Sequence, residues 1–151
     1  MSEYITTADS LVALNNPIPF SYVSISCNTG DVVPVAPGII ILKGNTPNRF
    51  ARYELTLQGN VQIPTGGAVT AVALGISLDG VVLPESVAIH TPQAVEEYEH
   101  VHTSVTVTIP RGCCMTVSGL YVDGTADDAT VTPTPSIQVR RDALLRVERT
   151  A

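Results

Sequence analysis

The stretch Phe50–Pro84, FARYELTLQGNVQIPTGGAVTAVALGISLDGVVLP, decides the fold class. It opens on strict alternation, with Tyr53, Leu55 and Leu57 on one side and Glu54, Thr56 and Gln58 on the other. Side chains in a strand alternate faces with period two, so this is a half-buried strand. Gly59-Asn60 is a turn-prone pair expected to kink or bulge it before Val61 and Ile63 resume the pattern. Pro64-Thr65-Gly66-Gly67 ends it, because proline lacks the ladder donor and glycines accept positive φ. A second run then sets Val72, Leu74, Ile76 and Leu78 against a small-residue face of Ala71, Ala73, Gly75 and Ser77. The bulky face suits a core, and the small face suits close approach of another sheet or subunit. Asp79-Gly80 is the strongest short-range hairpin signal, leading into Val81-Val82-Leu83. These features make Phe50–Pro84 an organising hairpin within an antiparallel all-β body.

Working outward, 151 residues suit one domain with a core that needs no staples. Apolar residues reach 44% while charged ones are only 15%, with a mean hydropathy of +0.25. That balance excludes disorder and leaves too little charge to keep a small monomer apart from its neighbours. Part of the outer surface is therefore expected to be buried, most simply against further copies of the chain. The net charge of −6 argues against nucleic acid, which needs a basic face. No run approaches the roughly 18 apolar residues of a membrane helix, so no membrane partner is expected. The start, MSEYITTADS, carries no visible secretory signal.

Residues 1–16 are weakly patterned and are expected to form an N-terminal arm that docks onto a larger assembly, or a local turn. Asp9 or Ser10 would cap a short helical turn through Leu14, stopped by Asn15-Asn16-Pro17. Residues 17–151 are expected to form the domain proper. Val32-Val33-Pro34-Val35 has the proline interruption of an edge segment, and Ile39-Ile40-Ile41-Leu42 reads as a strand buried on both sides. Residues 93–98 are the least β-like. The clearest alternation follows, with Val101, Thr103, Val105, Val107 and Ile109 inward and His102, Ser104, Thr106 and Thr108 outward. Pro110-Arg111-Gly112 ends it, and a strand through Met115, Val117, Gly119 and Tyr121 is expected to pair with it as a hairpin. A polar loop from Asp123 to Ser136 precedes one final strand through Ile137, Val139, Arg141 and Ala143 to about Val147. Roughly eight to ten short strands at this spacing are the signature of a β-sandwich or jelly roll.

Chemistry-bearing clusters are few. Glu96, Glu97, Glu99, His100 and His102, with His90 nearby, are types that bind divalent metals, but nothing forces a third ligand to converge. Asp79, Asp123, Asp127 and Asp128 include the phrase DGTADD, which lacks the spacing of an EF-hand loop. No G-x-S-x-G is present, and a chain without Trp has little to line a sugar cleft. Neither a catalytic constellation, a metal nor a cofactor is expected. Cys113 and Cys114 are adjacent and make a poor disulfide, because their bond would close a strained ring. A bridge from one of them to Cys27 stays open, with buried free thiols the expected state. Arg140, Arg141, Arg146 and Arg149 form a late basic series, read either as solvent-facing positions or as a docking strip for an acidic partner.

Three phrases, FARYELTLQGNVQIPTGG (50–67), ISLDGVVLPES (76–86) and VTVTIPRGCCMTVSG (105–119), resemble a family of small domains encoded in gut Firmicutes genomes and their prophages. That family is similar to the C1q/TNF-like jelly roll, with an aromatic-bearing strand ahead of a long hairpin built around DGxxLP. The resemblance covers about Pro17 to Ser118. It implies a ten-stranded jelly roll assembled as a compact homotrimer, apolar strand faces meeting on a threefold axis. Ala71, Ala73, Gly75 and Ser77, with Tyr53 and Leu55, are the interface it points to. The segment from Asp123 to Arg149 departs from the pattern in length and charge and suggests an added contact surface.

Two functions follow as expectations. The first is a virion structural protein of a phage, a capsid decoration or head-fibre-like trimer. It would bind the major capsid protein or another virion component through Tyr4, Ile5, Leu11 and Leu14 of the arm, and display loops outward. It would be assembled in the bacterial host cytoplasm and resident in the phage particle. The alternative is a receptor- or glycan-binding head of a fibre or bacterial surface protein, for which Tyr98 and Tyr121 are the candidate aromatics.

Overall fold

The computed structural model describes residues 2–25, 31–125 and 130–150. Cys27, Asp127 and Asp128 lie outside them, so the Cys27 bridge and half of the calcium candidate have no structural account. The described residues form strands β1 (Ser2–Ile5), β2 (Ser10–Ala13), β3 (Tyr22–Ile25), β4 (Val32–Ala36), β5 (Ile39–Lys43), β6 (Phe50–Gln62) and β7 (Val72–Leu78). They continue with β8 (Val81–Val82), β9 (Ala88–His90), β10 (Glu99–Pro110), β11 (Cys114–Asp123), β12 (Ser136–Val139) and β13 (Leu144–Arg149). A single turn of 3-10 helix, Pro84–Ser86, sits between β8 and β9.

Two antiparallel sheets face each other. In the first, the long strand β6 carries β10 along one edge, and β12 and β13 in tandem along the other. Beyond these, β2 pairs β12, while β1 joins β13 to β3. In the second, the order is β4-β5-β11-β7, with β8 and β9 sharing the outer edge of β7. The facing sides supply the core: Tyr53, Leu55 and Leu57 from β6 and Val101, Val105 and Ile109 from β10 meet Ile40, Leu42, Leu74, Ile76, Val117 and Tyr121 of the second sheet. Full burial of one such aliphatic side chain contributes about 1.5–3 kcal/mol, so the alternation of β6 and β10 directs most of the folding energy between the sheets.

The sandwich departs from the sequence reading mainly in its pairings. Phe50–Pro84 is not a hairpin, because β6 and β7 lie in opposite sheets. The hairpin is the shorter one at Asp79-Gly80, where φ values of 52° and 82° give the primed turn that those residues favour. Gly59-Asn60 makes no bulge, since β6 and β10 stay in register from Val61↔Glu99 to Phe50↔Pro110. Likewise β10 and β11 are not a hairpin, and Arg111–Cys113 carries the chain from one sheet to the other. The run Ile39–Leu42 buries only Ile40 and Leu42 fully. The expected final strand is two, β12 and β13, separated by a turn in which Asp142 takes a φ of 70°.

The largest correction concerns residues 1–16. From residue 2 onward they are not an arm, and residues 10–13 are not helical. β1 fills the gap between β13 and β3, and β2 edges β12. Tyr4 is only 4% exposed and belongs to the core, so it offers nothing to a capsid. Ile5 is half-buried, and Leu14 packs against the core from a half-buried position. Leu11 alone of the four expected attachment residues stands out from the surface, at 67% exposure.

Candidate interaction surfaces

The small-residue face lies where its parity requires, on the outer side of the second sheet. Ala73, Gly75 and Ser77 of β7 stand opposite Val122, Leu120 and Ser118 of β11, and Ala71 is half-buried just ahead of β7. This face is already covered by the chain itself. Val82 and Val87 pack over Ala73, Leu120 and Val122. A Cβ on Gly75 would stand 3.2 Å from Val82 and 3.4 Å from Val87, so the glycine leaves room for a close-fitting cover. Beneath it the Ser77 and Ser118 hydroxyls meet at 2.6 Å. Ala73, Gly75 and Ser77 therefore serve close packing within one chain rather than an open subunit face. Tyr53 and Leu55 are fully buried between the sheets and are removed from the interface as well, the Tyr53 hydroxyl donating to the Lys43 carbonyl at 2.7 Å.

Ser86 holds this cover in place. It is fully buried, and its Oγ accepts the Ile76 amide at 2.8 Å and donates to the Leu83 carbonyl at 2.7 Å. One hydroxyl thus completes the ladder of β7 in the gap between β8 and β9. Beside it, Val82, Pro84, Val87, Ile89 and Val122 line a shallow groove of about 590 Å³ that ends at Asn15 and Asp123.

A further candidate surface is offered by β10. It forms an edge of the first sheet over twelve residues, with β6 as its partner on one side and no strand among the described residues on the other. Edge strands are ordinarily blunted by lysine, proline or a bulge. Here the outward side chains are His100, His102, Ser104, Thr106 and Thr108, the register is unbroken, and proline comes only at the end. On the sheet face beside it Thr56 and Ser104 pair their hydroxyls at 3.4 Å, with Glu54 and Gln58 on the same side of β6 and Arg146 of β13 opposite Thr56.

The His and carboxylate residues weighed as metal ligands do not come together. Among the described residues no three His, Cys, Asp or Glu side chains gather as a site. His90 Nε2 is 3.8 Å from Glu99 Oε2, His100 Nδ1 is 3.3 Å from Asn60 Oδ1, and His102 points outward from β10. Asp79 instead braces β11 by accepting the Thr116 amide at 2.8 Å, and Asp123 accepts the Thr125 amide and hydroxyl. Cys113 and Cys114 are free thiols, and both are exposed rather than buried, because the crossing between sheets runs over the surface. Tyr121 is in the core, its hydroxyl on the Thr134 carbonyl at 2.7 Å, whereas Tyr98 is 38% exposed.

The late arginines divide into two pairs. Arg146 meets Glu3 at 3.0 Å across β1 and β13, and Arg149 meets the buried carboxylate of Asp31 at 2.6 Å. Arg140 and Arg141 stand in the β12–β13 turn, exposed, with no carboxylate of the described residues within ion-pair reach of either guanidinium. With Thr7, Ala8 and Asp9 they line a polar groove of about 510 Å³. Burial pushes the nearby Tyr98 phenol up, the Asp9 carboxylate adds to that, and the Arg140 guanidinium opposes it. The sequence marked the Arg140-Arg141 doublet, but nothing local could have placed Asp9 beside it across 132 positions.

The sandwich is similar to several solved structures. The globular domain of zebrafish complement 1qA is 12% identical, with 99% of this chain and 98% of that chain covered and a TM-score of 0.63. Eiger TNF from S. frugiperda is 6% identical over 99% and 91% of the two chains, with a TM-score of 0.66. Murine APRIL is 9% identical over 99% and 98%, with a TM-score of 0.57. At these identities the likeness is one of fold, and the fold is an antiparallel β-sandwich of the C1q/TNF-like jelly-roll kind. No protein-family model and no curated protein matches the chain.

Proposed function

We propose that this chain is a non-catalytic assembly module, a homotrimer that serves as a capsid decoration or head-fibre-like component of a phage particle. The observation that carries the assembly reading is the bare edge of β10, twelve residues long with one charged side chain, Glu99, at its start. Two such edges joined about a twofold axis would merely extend the sheet. A trimer instead sets the β10 edge of one subunit against the first-sheet face of the next and closes a ring of heterologous contacts. The low overall charge supports the same reading. Thr106, exposed at mid-strand, is the position to probe. Thr106→Lys places a charge on the covered edge and is expected to raise the dissociation constant of the assembly at least about tenfold while leaving the fold intact. Unchanged assembly would move the interface elsewhere.

The virion placement draws its support from the resemblance of the three sequence phrases to prophage-encoded domains. Its partner would be the major capsid protein or another shell component, and Leu11 on β2 is the exposed apolar contact to test first. Particles purified from the encoding bacterium after prophage induction should carry the chain in multiples of three per shell site. Its absence from intact particles would overturn the virion reading. The competing reading, a receptor- or glycan-binding head, draws on the exposed ring of Tyr98.

A further inference from the structure

The groove between the β1–β2 connection and the β12–β13 turn has the makings of a ligand site. Its two walls are locked together by a dense set of hydrogen bonds. Thr6 gives its amide to the Ala143 carbonyl at 3.1 Å, accepts the Asp142 amide at 2.9 Å, and takes the Ala143 amide on its hydroxyl at 3.1 Å. Asp9 accepts the Arg141 amide at 2.9 Å, and the Arg140 amide is anchored on the Asn60 carbonyl of β6 at 2.9 Å. The guanidiniums therefore project from a fixed backbone, so less ordering cost falls on binding. Neither guanidinium has a carboxylate of the described residues within ion-pair reach, whereas Glu3 and Asp31 are engaged by Arg146 and Arg149.

We propose that this groove binds a saccharide bearing a single carboxylate, held by Arg140 and Arg141. A guanidinium matches a carboxylate with two parallel N–H donors, and two adjacent ones on a rigid turn suit a monoanion. Asp9, on the same lining, opposes a second negative charge and so disfavours a phosphate dianion. Its carboxylate and the Thr7 hydroxyl offer hydrogen-bond partners to sugar hydroxyls. The inference gives chemical content to the binding-head reading but does not depend on assembly, since every residue of the groove comes from one chain.

The test is a titration of the full chain with glucuronate, followed by amide chemical shifts. Glucose and inorganic phosphate serve as comparisons. Saturable shifts at residues 6–9, 98 and 139–143 are expected, with a dissociation constant of about 1 mM that weakens as salt is raised. Glucose should cause none, and phosphate should bind about tenfold more weakly. The double variant Arg140→Gln, Arg141→Gln changes only exposed side chains and should lose glucuronate by about tenfold or more, with its mass in solution unchanged. No saturation with glucuronate, equal binding of phosphate, or unchanged binding by the double variant would each overturn the proposal. So would a fall in the variant's mass, which would make the arginines a subunit contact. A monomeric native chain that still binds glucuronate would leave this inference standing and retire the trimer.

Discussion

At the scale of single residues, the fold rests on a few polar groups whose burial makes them indispensable. Ser86 is one, because its hydroxyl is the partner of the buried Ile76 amide. Ser86→Ala should destabilise the protein by about 1–3 kcal/mol, the cost of leaving a buried donor unsatisfied, read as a lower urea midpoint at unchanged slope. Tyr121 is another. Burial, with a smaller contribution from Asp123, pushes its phenol up to about 12 from the ordinary 10.0. The raised value means that the folded state keeps its proton where the unfolded state has lost it. The contribution is fully present below pH 10 and is lost as pH rises through about 12. Tyr121→Phe should lower stability by about 1 kcal/mol at neutral pH, through the lost bond to Thr134, yet flatten the decline above pH 10. Denaturant curves at pH 8, 10 and 11 would measure both effects. A parallel alkaline decline in the variant would assign the loss to other groups.

At the scale of elements, alternation revealed which face of each long strand is buried but not which strand is its neighbour. Val101, Val105, Val107 and Ile109 point inward as their spacing requires, and Asp79-Gly80 turns as its chemistry requires. Periodicity is a local property, whereas β10 meets β6 across separations of 38 to 60 residues, and β1 meets β13 across the length of the chain. Strands of two to four residues, such as β1, β8 and β9, are too short to display a period at all. For that reason the first sixteen residues resembled an arm. The pairing of β1 with both β13 and β3 predicts that deleting residues 1–16 unfolds the first sheet instead of releasing a tether. Circular dichroism and a thermal melt of the truncated chain would decide it. A cooperative melt within about 5 °C of the intact chain would restore the arm.

At the scale of the whole molecule, composition points to a surface that needs covering. A chain with 15% charged residues has little to spend on keeping its surface apart from other copies. The small-residue face that looked suited to a subunit contact is closed by Val82 and Val87, and Tyr53 and Leu55 are closed within the core. What stays open is the polar edge of β10, a surface that hydropathy could not have singled out because its side chains are Ser, Thr and His. The groove at Arg140 and Arg141 was legible only as a doublet of like charge, since its other wall is assembled from the opposite end of the chain. The proposed cover of β10 by a neighbouring subunit is tested most directly by the mass of the chain in dilute solution, from light scattering on a sizing column. Three times the chain mass of 15.9 kDa is expected, stable on dilution and reduced by Thr106→Lys. A monomer, or a dimer formed by edge-to-edge pairing, would contradict it.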